Sequence, residues 1–323
     1  MTTQLCCTLL AGCLLEIGSG VPAFAADEPV KAPPAAPAPP APLDVGGFFE
    51  VSFKPDYISP RGLLITDTGL TTQITTGLSL DLYKSPSEFI NDAAVNLGIW
   101  NDLWSSQNSS TVGSWNEFDW WVAGTVGFAH DWKFGVAYVE FLSPPGTFST
   151  IRNVEFSLRY SDAWIGRALT FNPYVKLFYS ASGPSTVAVG KKGGTYDVEL
   201  GFAPTINLKK YGWLPISLTA PTWLTVGPAS FWNRGITGCG PSVSTPCATS
   251  NAGVFSTGLT GRLPADFFIP PRLGNWYVDG GFHYFHLIND SLLLAQTATG
   301  SARSFAGARR DIVVGFAALG FTY

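Results

Sequence analysis

Apolar and polar residues alternate with a period of two over most of the chain after residue 46. A β-strand points successive side chains to opposite faces, so this period gives each stretch one apolar face and one polar face. In 154–160, for example, Val, Phe, Leu and Tyr alternate with Glu, Ser and Arg. The pattern predicts twelve strands, near 49–53, 76–82, 95–99, 120–128, 134–138, 154–160, 169–179, 198–202, 218–226, 255–262, 276–284 and 313–323.

The last predicted strand carries an aromatic residue at the very end of the chain. Counting back in twos gives only apolar or small residues, namely Tyr323, Phe321, Leu319, Ala317, Gly315 and Val313. Such a face suits a strand that meets lipid and places its aromatic end at the membrane interface. The ending resembles the carboxy-terminal signature of bacterial outer-membrane β-barrels, which implies that Phe321 and Tyr323 act as an assembly signal for the barrel-assembly machinery. A buried last strand of a soluble sandwich is the alternative for this segment.

Strands that cross a bilayer must close into a ring, because unpaired backbone groups at an open edge find no water in lipid. We therefore predict an all-β fold, a closed antiparallel transmembrane up-and-down β-barrel of about twelve strands. Its last strand pairs with its first, 49–54. Pro173, Pro204 and Pro221 should lie at strand ends or bulges, since proline cannot donate to a sheet. The longer connections are expected outside the cell, and these are 101–117, 180–195 and 228–253.

Composition favours a membrane location. Charged residues make up 13% of the 323 residues, about half the share usual for soluble proteins. Aromatic residues make up 14%, and the aromatic pairs Trp120-Trp121 and Trp276-Tyr277 are predicted to belong to interfacial girdles rather than to sugar-stacking platforms. The net charge of −4 gives no basic surface for a nucleic-acid partner.

The amino terminus has the features of a secretory signal. Residues 1–25 contain an apolar core and end in Ala-Phe-Ala, which fits a cleavage site, although no Lys or Arg precedes Lys31. Cys13 closes a lipobox-like Leu-Ala-Gly-Cys, so a lipidated amino terminus is the alternative. Residues 26–45 are rich in Pro and Ala and form a predicted periplasmic tail. The barrel is assigned to 46–323, and the expected location is the bacterial outer membrane.

Two cysteines remain after the signal peptide. Cys239 and Cys247 lie in a stretch of Gly, Pro, Ser and Thr, which is typical of a loop. In an oxidising compartment they are expected to form a disulfide. Their spacing does not match a zinc site, and neither a metal nor another cofactor is expected.

The region 46–165 resembles the TorF-type porin family. The likeness is carried by Asp56-Tyr57-Ile58-Ser59-Pro60-Arg61-Gly62, by Gln73 with Gly77-Leu78, and by the stretches 98–101, 116–119 and 153–162. The family's usual Gly-Gly in the second strand is replaced by Thr76-Gly77. The resemblance implies an outer-membrane porin without catalytic residues.

Charged side chains in the predicted strands are expected to face the lumen, because a charge facing lipid at the membrane centre costs roughly 2–4 kcal/mol. The predicted pore-lining residues are Glu50, Lys54, Asp81, Glu155, Arg159, Lys176, Asp197, Glu199 and Arg262. Asp56 and Arg61 are expected at a mouth of the barrel, either shaping it or bridging each other. The predicted function is a porin-like channel for the passive diffusion of small polar solutes or ions, with lipid and those solutes as partners and no oligomeric state specified.

Two alternatives stay open. The same charges could fill a closed lumen with ion pairs, which would make the protein a structural or adhesion barrel. A lipid-modifying enzyme is the other alternative, and no catalytic residues are assigned for it. His283 and His286 are expected on opposite faces of a strand, His130 lies in a predicted turn, and the chain contains no G-x-S-x-G motif.

Overall fold

The computed structural model describes residues 44–106, 114–163, 169–185, 188–192, 194–211, 214–232, 250–266 and 268–323. The predicted signal peptide, all but the end of the predicted tail, and the Cys239–Cys247 pair lie outside these residues.

Twelve main strands in the part of the chain that the structure describes form one antiparallel sheet that closes on itself. Each strand pairs with the next, and the last pairs with the first, from Phe48↔Thr322 to Phe53↔Ala317. The predicted fold class is therefore confirmed. In chain order the strands are β1 (Asp44–Lys54), β2 (Thr71–Lys84), β3 (Ile90–Trp104), β4 (Trp115–Phe128), β5 (Trp132–Leu142), β6 (Ile151–Tyr160), β7 (Tyr174–Ser182), β8 (Thr195–Phe202), β9 (Thr222–Val226), β10 (Ala252–Pro264), β11 (Asn275–Leu287) and β12 (Asp311–Thr322).

The two faces of each strand have different surroundings. On β12, Val313 and Leu319 point outward and are exposed, whereas Ile312 and Val314 point inward and are buried. The same contrast continues around the ring, and the outer wall is mainly apolar. A closed sheet with an apolar outside is the arrangement that a lipid bilayer requires.

The aromatic pairs divide between the two faces. Trp120 and Trp276 face outward, in agreement with a girdle, but Trp121 and Tyr277 face inward and are buried. The prediction of a girdle is therefore wrong for the second residue of each pair, because neighbours in a strand point to opposite sides.

Proline interrupts three neighbouring strands at one level of the wall. β7 begins just after Pro173, β8 ends just before Ala203-Pro204, and β9 begins just after Pro221. Short strands continue the wall beyond these breaks, and their bounds are Leu169–Thr170, Thr205–Asn207 and Ser217–Thr219. The prolines thus lie at strand ends, as predicted.

The connections at the end of the barrel opposite Asp44 and Tyr323 include the two longest, 227–251 and 288–310, so we assign that end to the extracellular side, where such barrels carry their long connections. The connections at this end are 55–70, 105–114, 143–150, 183–194, 227–251 and 288–310. The prediction of a loop over 101–117 is wrong in extent, since β3 continues to Trp104 and β4 already starts at Trp115.

Two of these connections fold inward over the barrel. Residues 55–70 contain the short strands Tyr57–Ile58 and Leu64–Thr66, and residues 288–310 contain the helix α1 (Asp290–Thr299). The Asn289 side chain caps α1 by accepting a hydrogen bond from the Ser291 N–H at 3.1 Å. Among the described residues, no helix has the length and apolar character needed to cross a membrane.

Candidate functional site

The interior of the barrel is rich in buried carboxyl groups. The acidic residues at inward positions that are at most 5% exposed are Glu50, Asp102, Glu117, Asp119, Glu155, Asp197, Glu199 and Asp279. The cationic side chains that lie among them are Lys54, Arg61, Lys176 and Arg262. The carboxyls outnumber these cations, so the lumen has an acidic character.

Arg61 comes from the connection 55–70 and reaches the wall formed by β6, β7 and β8. Its Nε donates to Asp197 Oδ1 at 3.0 Å, and its Cζ lies 3.9 Å from the centre of the Phe178 ring. The carboxyls of Glu155 and Glu199 also attract it. The Arg61 side chain is only 2% exposed, so the connection is held deep inside the barrel.

Tyr57 comes from the same connection and reaches a different part of the wall. Its ring packs against Trp100 of β3 at 5.7 Å between centroids, and its hydroxyl donates to Glu117 of β4 at 3.2 Å. Asp102, beside this site, accepts hydrogen bonds from the side chains of Trp104, Gln73 and Asn116.

The connection 55–70 therefore crosses the lumen. Tyr57 is fixed to β3 and β4, and Arg61 is fixed to β7 and β8. Between them, the carbonyl of Pro60 accepts a hydrogen bond from the Trp223 indole of β9 at 3.3 Å. We call residues 55–70 the crossing segment.

The segment 288–310 covers the crossing segment from the extracellular side. Thr299 at the end of α1 donates to the Leu64 carbonyl at 2.9 Å. Arg309 Nη2 lies 3.0 Å from Asp67 Oδ2 and 3.7 Å from Asp56 Oδ2. Burial raises the pKa of Asp56, although Arg309 acts in the opposite direction. Asp56 thus pairs with Arg309 and Arg61 with Asp197, so the predicted bridge between Asp56 and Arg61 is wrong.

A further cluster joins side chains of β1, β10 and β11 inside the barrel. Arg262 binds Asp279 at 2.7 Å and lies 3.8 Å above the centre of the Tyr277 ring. The Tyr277 hydroxyl donates to Glu50 at 3.1 Å. On the same strand as Glu50, Lys54 donates to Gln73 at 2.6 Å.

The predicted pore-lining residues fall into two groups. Seven belong to the clusters described above: Glu50, Lys54, Glu155, Lys176, Asp197, Glu199 and Arg262. Asp81 and Arg159 are half-buried near the periplasmic ends of their strands, and Arg159 lies 5.4 Å from the Tyr174 ring. That these residues line a conducting path stays a prediction.

Sequence patterns missed part of the site. Asp102 and Glu117 fell within a stretch that was predicted to be a loop, and Arg61 was expected at a mouth rather than in the interior. Asp119 and Asp279 could have been found from strand parity, since each precedes or follows an outward apolar residue by one position.

The histidines of β11 lie on opposite faces, as the strand period predicts. His283 points inward, with ring contacts to Trp223 and Phe316. His286 points outward and lies 2.7 Å from Asp311. Among the described residues, no three or more His, Cys, Asp or Glu side chains are grouped so that they could hold a metal ion.

The solved structures to which the chain is similar include outer-membrane channels of bacteria. A COG4313 outer-membrane channel from Pseudomonas putida F1 is 10% identical, with 91% of this chain and 100% of that chain covered and a TM-score of 0.47. OprB of Pseudomonas putida is 9% identical, with 87% and 94% covered and a TM-score of 0.38. The translocator domain of the autotransporter NalP from Neisseria meningitidis is 11% identical, with 86% and 88% covered and a TM-score of 0.34.

No protein-family model matches the chain, and no curated protein matches it. The assignment of its class therefore rests on its own closed sheet and apolar outer wall, together with an interior that holds many buried charged groups beside two apolar clusters. The chain is an outer-membrane β-barrel of bacteria.

Proposed function

We propose that the barrel is a porin-like channel for the passive diffusion of small polar solutes or ions, and that the crossing segment closes it in the conformation described here. The proposal rests on one observation, which is the number of ionisable side chains in the interior of the barrel. Replacing a buried ion pair by apolar residues is often neutral or stabilising, so buried charges are weak evidence for a purely structural role. Charged side chains that line a water-filled path have a function, because they determine which solutes pass.

The resemblance to TorF-type porins supports the same function. Gln73, one of the residues that carries it, connects two lumenal charges by accepting from Lys54 and donating to Asp102 at 3.4 Å. Membership of that particular family is part of the proposal.

Conductance across a planar bilayer tests the channel. Lys54 and Thr71 are direct partners in the β1–β2 pair, so a two-residue Asn-Gly turn can replace the crossing segment without changing the register. We expect discrete current steps, and larger or more frequent steps from this short-turn variant than from the parent protein. Deletion of 144–147, a turn in another extracellular connection, is the matched control and should leave the current unchanged.

Silence from both the parent and the short-turn variant, after insertion has been verified, would contradict the channel. The crossing segment itself favours the second candidate, a closed barrel that serves a structural or adhesion role. That candidate predicts that the short-turn variant inserts normally and conducts no ions.

A further inference from the structure

The wall around Arg61 has the chemistry of a site for an organic cation. Asp197 and Glu199 of β8 and Glu155 of β6 supply carboxyl groups, and Phe178 of β7 supplies a ring face. All four side chains are at most 5% exposed. A carboxylate beside an aromatic face recognises a guanidinium through charge-assisted hydrogen bonding and through stacking.

Arg61 fills this site incompletely. Its Nε is the atom that donates to Asp197, while its Nη2 is buried and has no acceptor among the described residues. Asp197 Oδ2 and Glu199 Oε2 are also buried and accept no hydrogen bond from the described part of the chain. A guanidinium can form two parallel bonds with a carboxylate, so the wall offers more acceptors than the tethered side chain uses.

The local charge also favours a cation. Lys176 lies 3.4 Å from Glu199 and is the second cation at this wall. Without Arg61, the carboxyls of Asp197 and Glu199 would face the single ammonium group of Lys176. Removing one partner of a buried ion pair leaves an uncompensated charge and is strongly destabilising, so a cation that took the place of Arg61 would stabilise this wall.

We propose that this wall, which we call the guanidinium site, binds small solutes that carry a guanidinium group, and that Arg61 is its built-in occupant. The inference rests on the proposed channel, because it names the class of solute that the lumen would take. The ring of Phe178 distinguishes such a cation from a metal ion, which prefers a shell of oxygen ligands. Tethering gives Arg61 a high effective concentration, so a free solute binds only when the crossing segment moves away.

Chemical rescue of Arg61→Ala tests the site without any need for conduction. The protein is folded in detergent, and the temperature at which the compact band shifts on a denaturing gel is measured. We expect Arg61→Ala to shift at a lower temperature than the parent. Methylguanidinium at about 10 mM, in the range of the effective concentration given by a short tether, should restore at least half of that loss. Methylurea, its neutral counterpart, and sodium at equal ionic strength should restore none.

Two further variants keep the test sharp. Adding Asp197→Asn to Arg61→Ala should abolish the rescue, because the carboxylate that receives the guanidinium is gone. If Arg61→Ala does not fold, the short-turn variant is titrated with methylguanidinium by calorimetry, and saturable binding that Asp197→Asn removes is expected. Rescue that methylurea equals, or no rescue and no binding, would overturn the guanidinium site.

The outcomes for the site and for the channel are separate. Current steps without rescue or binding by methylguanidinium overturn the site and leave the channel standing. Rescue or binding by methylguanidinium, with both the parent and the short-turn variant electrically silent, supports the site and contradicts the channel.

Discussion

The sequence predicts which face of the sheet a residue occupies, but it does not predict which side chain that residue contacts. Strand parity assigns Glu50, Lys176 and Asp197 to the inward face, where the structure has them buried. Their contacts depend on the closed ring. Glu50 accepts from Tyr277, which is 227 positions away, and Asp197 accepts from Arg61 at a separation of 136. No local pattern contains such pairs, and this is why Arg61 was expected at a mouth.

Glycine allows one close approach that a side chain would block. Trp232 is fully buried, and its indole donates to the carbonyls of Gly227 at 3.2 Å and Asn251 at 3.0 Å. A Cβ on Gly253 would overlap the Trp232 ring. We predict that Gly253→Ala destabilises the barrel by about 1–3 kcal/mol, as overpacking usually does, measured by urea unfolding in detergent.

Gly124→Ala is the matched control for that substitution. Gly124 also lies within a strand, but a Cβ there would meet nothing within 4 Å. Its effect should stay within about 0.5 kcal/mol. Equal effects of the two substitutions would mean that the packing of Trp232 against Gly253 is not tight.

At the scale of elements, the strands follow the sequence pattern and the extracellular connections depart from it. The alternation of apolar and polar residues identifies most of the twelve strands, because lipid keeps the outward side chains apolar. On β12 the inward residues Ile312 and Val314 are apolar as well, and that strand is identified by its apolar ending. Asp102 and Glu117 were predicted to lie in a loop, because the sequence does not show which inward polar side chains they contact. The crossing segment has two short strands whose positions are set by contacts with opposite walls.

The two terminal aromatic residues of the last strand, Phe321 and Tyr323, differ in how much they contact the rest of the barrel. Phe321 packs against Trp276 at 4.7 Å and Phe49 at 5.9 Å, whereas the Tyr323 side chain is 58% exposed. We predict that Tyr323→Ala changes the unfolding free energy of the refolded barrel by less than about 1 kcal/mol, as is usual for exposed positions. The same substitution should reduce the amount of protein inserted in the outer membrane, because the carboxy-terminal signature that this ending resembles implies an assembly signal at Tyr323.

Val313→Ala provides the comparison. Val313 is 62% exposed on the same face, at the other end of the strand. It should alter neither stability nor insertion. Normal insertion of Tyr323→Ala, measured by fractionation and immunoblotting, would contradict a role of Tyr323 as an assembly signal.

At the scale of the whole molecule, closure of the ring creates the lumen and brings its charges together. β12 pairs with β1 on one side and with β11 on the other, so the first and last strands of the barrel meet. The need to pair every edge in lipid predicts this closure from sequence. The crossing segment could not be predicted in the same way, because its position depends on walls that exist only after the ring has formed.

A cross-link at the closure tests the ring directly. Ser52 of β1 and Ala318 of β12 are direct partners, and both point inward. Their Cβ atoms should lie about 4.5–5.5 Å apart, as in other paired positions. In a background whose native cysteines are replaced by Ser, Ser52→Cys with Ala318→Cys is treated with a mild oxidant or a short thiol-reactive cross-linker. The control combines Ser52→Cys with Leu319→Cys, which points outward.

The measurement is the gel mobility of heat-denatured protein taken from the outer membrane. We predict that most of the Ser52–Ala318 pair cross-links and runs as a circular species until it is reduced, while the control pair stays linear. Equal cross-linking of the two pairs, or none in the first, would mean that the first and last strands do not close the barrel in this register.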